Sequence, residues 1–361
     1  MSSLIVDVCR VDEISKHPNA DRLSIVRVKG WNCIVGLDQY EVGQLVVFVP
    51  PDCIIPDSII DKYNLEYLKH NGRTGSVKLR GYISQGLILD LPDGKFKDGD
   101  NVAEILGIAK YEQPEPAFSG QANQVSKKKL NPAFSKYTNI ENYKNFDNIF
   151  NNEDVVVITE KIHGANARFG NLEIVIDKSQ PVFYRLNKWI EKNIFGKTHE
   201  FVYGSHNVQL YGKAKSNTFY GDDKWGSIAK KYDLANKIPK DYVVYGEVYG
   251  SGIQDLTYGI DDIKLVVFDV RYKGTYLNWG DMIDFCYELN LPLVPILHLG
   301  LFNEEVLKQC TDGNSIICST QIREGCVVKP LIEENHPRIG RKILKSRSVI
   351  YETRKDGTEF K

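Results

Sequence analysis

A lysine placed where a buried strand opens into a turn can serve as a nucleophile, and one stretch of this chain has that form: Thr159-Glu160-Lys161-Ile162-His163-Gly164-Ala165-Asn166. The apolar run Val155-Val156-Val157-Ile158 leads into it, and a second short strand-like segment ending at Phe169 follows. An ammonium group has no lone pair to attack with. Lys161 must therefore be held partly neutral, by burial or by a neighbouring cation, well below its free pKa of ~10.4. Gly164 is expected to let a bound group come close to the backbone. A bare Lys-x-x-Gly equally describes a surface lysine in a strand-end turn, so the reading depends on the other reactive side chains.

Those recur downstream in a definite order. Glu247 stands in Val244-Tyr245-Gly246-Glu247-Val248-Tyr249-Gly250, a strand ending between two glycines. Phe268-Asp269 closes the apolar run Leu265-Val266-Val267. Glu324 opens Glu324-Gly325-Cys326-Val327-Val328-Lys329, where alternation puts Val327 and Lys329 on one face and Glu324, Cys326 and Val328 on the other. Lys342 and Lys345 lie in Arg341-Lys342-Ile343-Leu344-Lys345-Ser346-Arg347-Ser348.

The elements that must position these groups fall into two blocks. A chain of 361 residues exceeds one compact core. Residues 1–105 read as a small β domain: short β-branched runs (4–11, 23–29, 33–37, 45–49, 76–79 and 86–91) divided by Gly, Pro and Asp turns, with one helix near Ser58 to His70. Residues 106–131 read as a linker, polar and Gly-, Ser- and Pro-containing, with the basic knot Lys127-Lys128-Lys129 at its end. From 132 to 361, strand candidates at 155–158, 242–245, 264–270, 325–329 and 341–345 alternate with helical spacing at Arg185 to Phe195, Trp225 to Lys237 and Asn278 to Leu289, with Gly196 a stop and Asn278 a cap. The mixture implies an α+β domain.

Composition narrows the class. The hydrophobic fraction of 42% and charged fraction of 26% are those of an ordinary globular protein. No apolar stretch is long enough to span a bilayer and the N-terminus lacks the pattern of a signal peptide, so an intracellular protein, cytoplasmic or nuclear, is expected. The 7 cysteines are scattered, with no Cys-x-x-Cys pair, and read as reduced thiols rather than zinc ligands. A net charge of −1 does not announce a polyanionic partner for the chain as a whole, although the stretch from His336 to Lys361 is locally basic.

In their order, these motifs resemble the covalent nucleotidyltransferases, the ATP-dependent ligases and mRNA capping enzymes. The stretch from Glu160 to Asn166 is similar to the RNA ligase 2 branch, because DNA ligases and capping enzymes usually carry Asp where this chain has His163. His17-Pro18-Asn19-Ala20-Asp21-Arg22-Leu23, with Val42-Gly43-Gln44 and Val49-Pro50-Pro51, resembles OB-fold modules that bind tRNA. An OB domain before the catalytic domain is the arrangement of a group of nick-sealing RNA ligases. The resemblance implies an N-terminal OB-fold β-barrel joined to an α+β adenylyltransferase (ATP-grasp-like ligase) domain with antiparallel sheets.

The resemblance also assigns roles. Lys161, Glu324 and Lys345 are the implied catalytic residues. Glu160, Ile162, Asn166, Glu247, Phe268, Val327, Lys329, Lys342 and Arg347 are implied to contact the nucleotide, with Phe268 and Val327 sandwiching adenine, Glu160 reading its amino edge and Glu247 favoured for the ribose. Glu324 and Glu247 are implied to hold Mg2+ or Mn2+, and Lys329 and Lys345 to stand beside the phosphoryl oxygens. His163 is expected to orient its loop rather than act as a base. The implied cofactor is ATP and the implied partner is RNA, as nicked duplex RNA or RNA/DNA hybrid, acted on by a monomer.

Two departures stand out. The last motif of the family is usually Lys-x-Lys; here Lys345 pairs by that spacing with Arg347, and Lys342 joins its face only through a bulge. In Gly204-Ser205-His206-Asn207 some relatives place an arginine near the position of His206, which leaves its part in gripping the RNA end open. The rival readings are a DNA ligase or capping guanylyltransferase, which normally need an OB domain after the lysine strand, and a nucleic-acid-binding protein whose catalytic half no longer turns over.

Overall fold

The computed structural model describes residues 4–111, 131–210 and 223–354. They form two compact units. One holds residues 4–111, 141–148 and 347–354; the other holds 131–140, 149–210 and 223–346. The domains read from sequence are contiguous, whereas here two later pieces return to the first unit. Buried side chains explain the return: Ser76 Oγ donates to Glu352 Oε2 at 2.6 Å, and Lys144 donates to Gln85 Oε1 at 3.2 Å while lying 4.6 Å over the Trp31 ring. Residues 106–111 also join this unit, because Ala109–Lys110 pairs with Cys53–Ile54. The rest of the linker, 112–130, and its lysine knot lie outside the described residues.

The first unit is built from antiparallel strands. One sheet runs Asp7–Arg10, Leu45–Val49, Leu87–Leu89; another runs Glu13–Lys16, Leu23–Val28, Trp31–Gly36. Alternation works as expected in Leu23–Val28, where Ser24, Val26 and Val28 turn inward. His17, quoted for the OB resemblance, is buried, its Nε2 lying 3.3 Å from Leu79 O and its ring packed edge-on against Tyr82. The helix expected at Ser58 to His70 is shorter, Asp57–Lys62 followed by a single turn at Glu66–Leu68.

The second unit stacks two antiparallel sheets. The larger runs Gln209–Leu210, His199–Ser205, Ala165–Glu173, Tyr242–Gly250, Ile263–Tyr272, Thr275–Tyr276. The other sets Gly325–Pro330 between Leu344–Arg347 and Val155–Lys161, with Ile296–Leu301 beyond. The chain crosses from one sheet to the other between Lys161 and Ala165, so the motif singled out by sequence is the hinge point of the two layers. Val157, Phe169, Val244, Val248 and Leu265 fill the core beside that crossing.

The helices differ in detail from the sequence reading. Trp225 to Lys237 is broken at Asp233, whose φ of 53° ends Lys224–Lys231 before Leu234–Lys237 begins. Asn278 does sit at the N-cap of Trp279–Glu288, but its side chain accepts from Glu333 N–H at 3.0 Å instead of capping. The helix Val182–Asn193 buries Tyr184 and Lys188, the latter 3.0 Å from Glu200, and turns Val182, Phe183, Leu186 and Trp189 outward. Among the described residues no helix is long and apolar enough to cross a membrane.

Candidate active site

Lys161 ends the strand Val155–Lys161, and its Nζ lies 2.6 Å from Glu324 Oε1. Strand register accounts for the meeting: Lys161 pairs with Gly325, which puts Glu324 beside the lysine where the two strands finish. The lysine side chain is 28% exposed and the carboxylate 2%. The sequence reading expected burial or a nearby cation around the lysine; the structure instead supplies an anion. In this arrangement Glu324 holds the ammonium at the open end of the sheet.

The turn after Lys161 is held on several sides. The Ile162 side chain is buried in the core, which leaves its backbone as the part that could meet a nucleotide. His163 donates its backbone N–H to the Tyr258 hydroxyl at 2.6 Å, and its Nε2 lies 2.8 Å from Asp255 Oδ1. Its Nδ1 is 3.9 Å from Glu324 Oε2. Gly164 is required by the neighbouring strand rather than by a bound group, since a Cβ there would stand 2.3 Å from Val248 O and 2.9 Å from Glu247 Cγ. Asn166 is paired with Glu247 across the strands. These contacts lock the Lys161 turn to the strand that carries Glu247.

Two buried polar atoms in this stretch have no protein partner, Glu160 Oε1 and Asn166 Oδ1. The other Glu160 oxygen accepts Ile316 N–H at 2.8 Å, and burial pushes the Glu160 carboxyl above its ordinary pKa against the neighbouring Ser315 hydroxyl, that N–H bond and the Arg323 charge. Leaving a buried acceptor unmatched is costly, of order 1–3 kcal/mol, so such atoms mark positions for a ligand donor. Alternation turns Glu160 to the opposite strand face from Lys161.

Tyr258, absent from the sequence reading, is where three acids converge. Burial raises its hydroxyl pKa, the His163 N–H opposes this, and Glu324, Glu160 and Glu247 raise it further. Asp255 was likewise missed. Both sit in the glycine-containing loop Gly250 to Gly259, directly after the Glu247 strand, and that position was the available signal.

The lysine strand can be oriented through its neighbours. Thr311 Oγ1 donates to Ser346 Oγ at 2.7 Å and lies 3.5 Å from Cys326 Sγ, so Ser346 and Cys326 share the sheet face covered by the helix Glu304–Thr311. Lys345 therefore turns to the opposite face, which by strand register is also the face of Lys161, Val327 and Lys329. Val327 is the half-buried residue of an otherwise buried strand, and Phe268 is half-buried amid the buried stretch Leu265 to Val270. Apolar side chains left open inside buried strands are what a flat ring would cover.

Other predicted residues are placed elsewhere. Lys329 is buried and ion-paired with Asp269 at 3.0 Å, so its ammonium is committed to the interior of the domain. Lys342 precedes the strand Leu344–Arg347; its Nζ lies 2.8 Å from Asp154 Oδ1 and 3.1 Å from Glu334 Oε2. Asp154 flanks the start of the strand that Lys161 ends, about 23 Å away at ~3.3 Å per residue. The structure therefore does not bring Lys342 to Lys161. Arg347 falls in the first unit, 3.5 Å from Asp52 and 3.6 Å from Glu352. Burial pushes the His206 imidazole below its ordinary pKa, reinforced by the charges of Lys136 and Arg168, and Arg168 donates to the neighbouring Ser205 O at 2.9 Å.

Comparison with known proteins bears on the fold and the family. Residues 154–347 match the RNA ligase family, and residues 5–91 match an OB-fold domain. No curated protein matches the chain. Among solved structures, a Naegleria gruberi RNA ligase mutant with AMP and Mn superposes with a TM-score of 0.70 at 22% identity, covering 97% of this chain and 98% of that one. Naegleria gruberi RNA ligase with PPi gives a TM-score of 0.70 at 23% identity over the same shares. At such identities the likeness establishes the fold: an OB-fold domain followed by the ligase domain. The family match spans more than half of the residues, and the chain belongs to the RNA ligase family.

Proposed function

We propose that this protein is an ATP-dependent RNA ligase that joins a 3′-hydroxyl to a 5′-phosphate, chiefly at nicks in duplexes. The observation that carries the reading is the Lys161–Glu324 pair at the point where the chain crosses between sheets. Lys161 Nζ loses a proton and forms a bond to the α-phosphorus of ATP; the α–β bridging P–O bond breaks and pyrophosphate leaves with the electron pair. An oxygen of the RNA 5′-phosphate then takes the adenylyl group from the lysine, which recovers a proton. Finally the 3′-hydroxyl attacks the activated 5′-phosphorus and AMP departs. Each step is an in-line displacement that rewards alignment.

The residues fit the nucleotide. Phe268 and Val327 would flank the adenine, and Asn166 and Glu247 would meet the ribose; Glu160, on the other strand face, would reach the amino edge only past the end of the strand. Lys345, on the nucleophile's face, would stand by the charge that grows on the phosphoryl oxygens. Lys329 would act through its strut to Asp269. Mg2+ or Mn2+ needs only one or two carboxylates, with water and phosphate oxygens completing its shell, and Glu324 and Glu247 meet that demand. When bound, the ion would supply positive charge at the transferring phosphoryl group.

The test has two stages. With α-radiolabelled ATP and Mg2+ or Mn2+, denaturing electrophoresis should show covalent label on the protein. Four nicked duplexes differing only in the sugars beside the nick should then be sealed well whenever the 3′-hydroxyl side is RNA, because an A-form site aligns a ribose end. Absence of label sinks the nucleotidyl-transfer reading. Efficient closure of the all-DNA nick turns the reading toward a DNA ligase.

A further inference from the structure

The sequence reading left His163 as a residue that orients its loop. The structure shows a chain of four charged or polar groups running inward from the nucleophile: Lys161 Nζ to Glu324 Oε1 at 2.6 Å, Glu324 Oε2 to His163 Nδ1 at 3.9 Å, and His163 Nε2 to Asp255 Oδ1 at 2.8 Å. The imidazole is fully buried, Glu324 is 2% exposed and Asp255 is 16% exposed. We infer that Asp255 is a positioning residue for the ligase reaction, which through the His163 ring sets where the Glu324 carboxylate stands against Lys161.

A carboxylate has acceptors only, so Asp255 requires the proton of His163 to be on Nε2. That choice fixes both the tautomer and the ring plane, as an outer carboxylate does for a ligating histidine. Nδ1 lies 3.9 Å from Glu324 Oε2, and the other oxygen, Oε1, meets Lys161 at 2.6 Å. The backbone of His163 cannot drift, because its N–H is tied to Tyr258. Nor can the loop that carries Asp255: Tyr258 N–H donates to Gln321 Oε1 at 2.7 Å, Ser251 N–H donates to Ile260 O at 3.1 Å, and Ile253 is buried. A rigid loop, a fixed ring and a buried carboxylate form one unit whose outer end is the nucleophile.

This inference rests on the ligase reading above, and the experiment separates the two. Asp255→Asn preserves shape but replaces a carboxylate that can only accept by an amide that can also donate to Nε2, so the proton is no longer confined to Nε2 and, once on Nδ1, offers Glu324 a donor in competition with Lys161. The full-length variant should label with ATP roughly 10–100-fold more slowly, the range for losing such an outer-shell partner. Its half-saturating ATP concentration and Tm should stay at the wild-type values, because Asp255 is assigned no contact with the nucleotide. Asp255→Glu should recover part of the rate, and it serves as the test if the Asn variant melts early. Combining Asp255→Asn with His163→Ala should slow labelling no further than His163→Ala alone, since Asp255 acts through the ring. Wild-type labelling by Asp255→Asn, or additive losses in the double variant, overturns the inference. Failure of the wild-type protein to label at all strikes the ligase reading instead.

Discussion

Two lysine–carboxylate pairs invite comparison, because both lysines stand on one sheet face, on the neighbouring strands Val155–Lys161 and Gly325–Pro330. Lys161 meets Glu324 at 2.6 Å and Lys329 meets Asp269 at 3.0 Å. In residue type and distance they are nearly interchangeable. Lys329 pairs across the strands with Val157, four positions before Lys161, about 13 Å at ~3.3 Å per residue. That displacement changes everything around the pair. The Lys329 and Asp269 side chains are 5% and 0% exposed, and Asp269 is also held by Arg341 at 2.7 Å and by the Tyr137 hydroxyl, which donates at 2.7 Å. Lys161 lies at the strand end with its side chain partly open. A buried, saturated pair is a strut; the same pair at an open sheet end can part and react. Position along the strand, rather than residue type, separates the two roles.

The widest gap between the pairs should appear on truncating each lysine's function. Lys161→Ala should abolish covalent label while leaving Tm near that of the wild type, read by electrophoresis and thermal melting. Undiminished label on that variant would remove Lys161 from its role. Asp269→Asn should do the reverse: stability should fall by about 3–5 kcal/mol, because Lys329 and Arg341 are left buried beside a lost charge, and any loss of labelling should track the unfolded fraction in denaturant titrations. Replacing the pair together, Lys329→Met with Asp269→Leu, should cost less than Asp269→Asn alone.

Lys345 sharpens the contrast, since it shares the face of both pairs. Lys345→Ala should slow labelling by about 10²–10³-fold, the cost of removing one stabilising charge from a phosphoryl-transfer site, with little change in Tm; an unchanged labelling rate would exclude it from the site. Lys342→Met, which leaves the largely buried Asp154 without its lysine, should cost about 1–3 kcal/mol and leave labelling of the folded protein untouched. Slower labelling by folded Lys342→Met would show that the lysine reaches the phosphates.

The pairs should also differ in acid. Burial tends to raise the Asp269 carboxyl, but Lys329 and Arg341 outweigh it and hold the group below its usual value. A depressed carboxylate stabilises the fold at pH above its unfolded value of ~3.9, and that contribution is lost as pH falls through the folded pKa. Wild-type stability should therefore drop below about pH 4 more steeply than that of the Lys329→Met and Asp269→Leu double variant. Parallel acid profiles would show that the strut carries no such linkage.

Much of this was readable in advance where the signal was local. The apolar run before Lys161, the glycines around Glu247 and the alternation in Glu324 to Lys329 specify strands and strand ends, and the structure has strands at all three. Lys342 was harder, because a chain that leaves one hairpin at Arg341 and begins a new strand at Leu344 looks continuous in sequence. For Asp255 and Tyr258 the sequence offers only their place just after the Glu247 strand: they lie in an irregular loop with no period, and their meaning depends on His163, far from them in the chain.

The sequence by itself determined which residue types could react and that strands would end on them, because side-chain alternation and turn chemistry act over a few neighbouring residues. Only the tertiary structure decided which lysine met which acid. Lys161 reaches Glu324 through strand register, Lys329 reaches Asp269 through the packing of one sheet on the other, and Lys342 reaches Asp154 from the segment between two strands. A shift of one residue in that register would turn Lys161 and Lys329 to the other face, so the difference between an open pair and a buried strut is a property of the folded sheet.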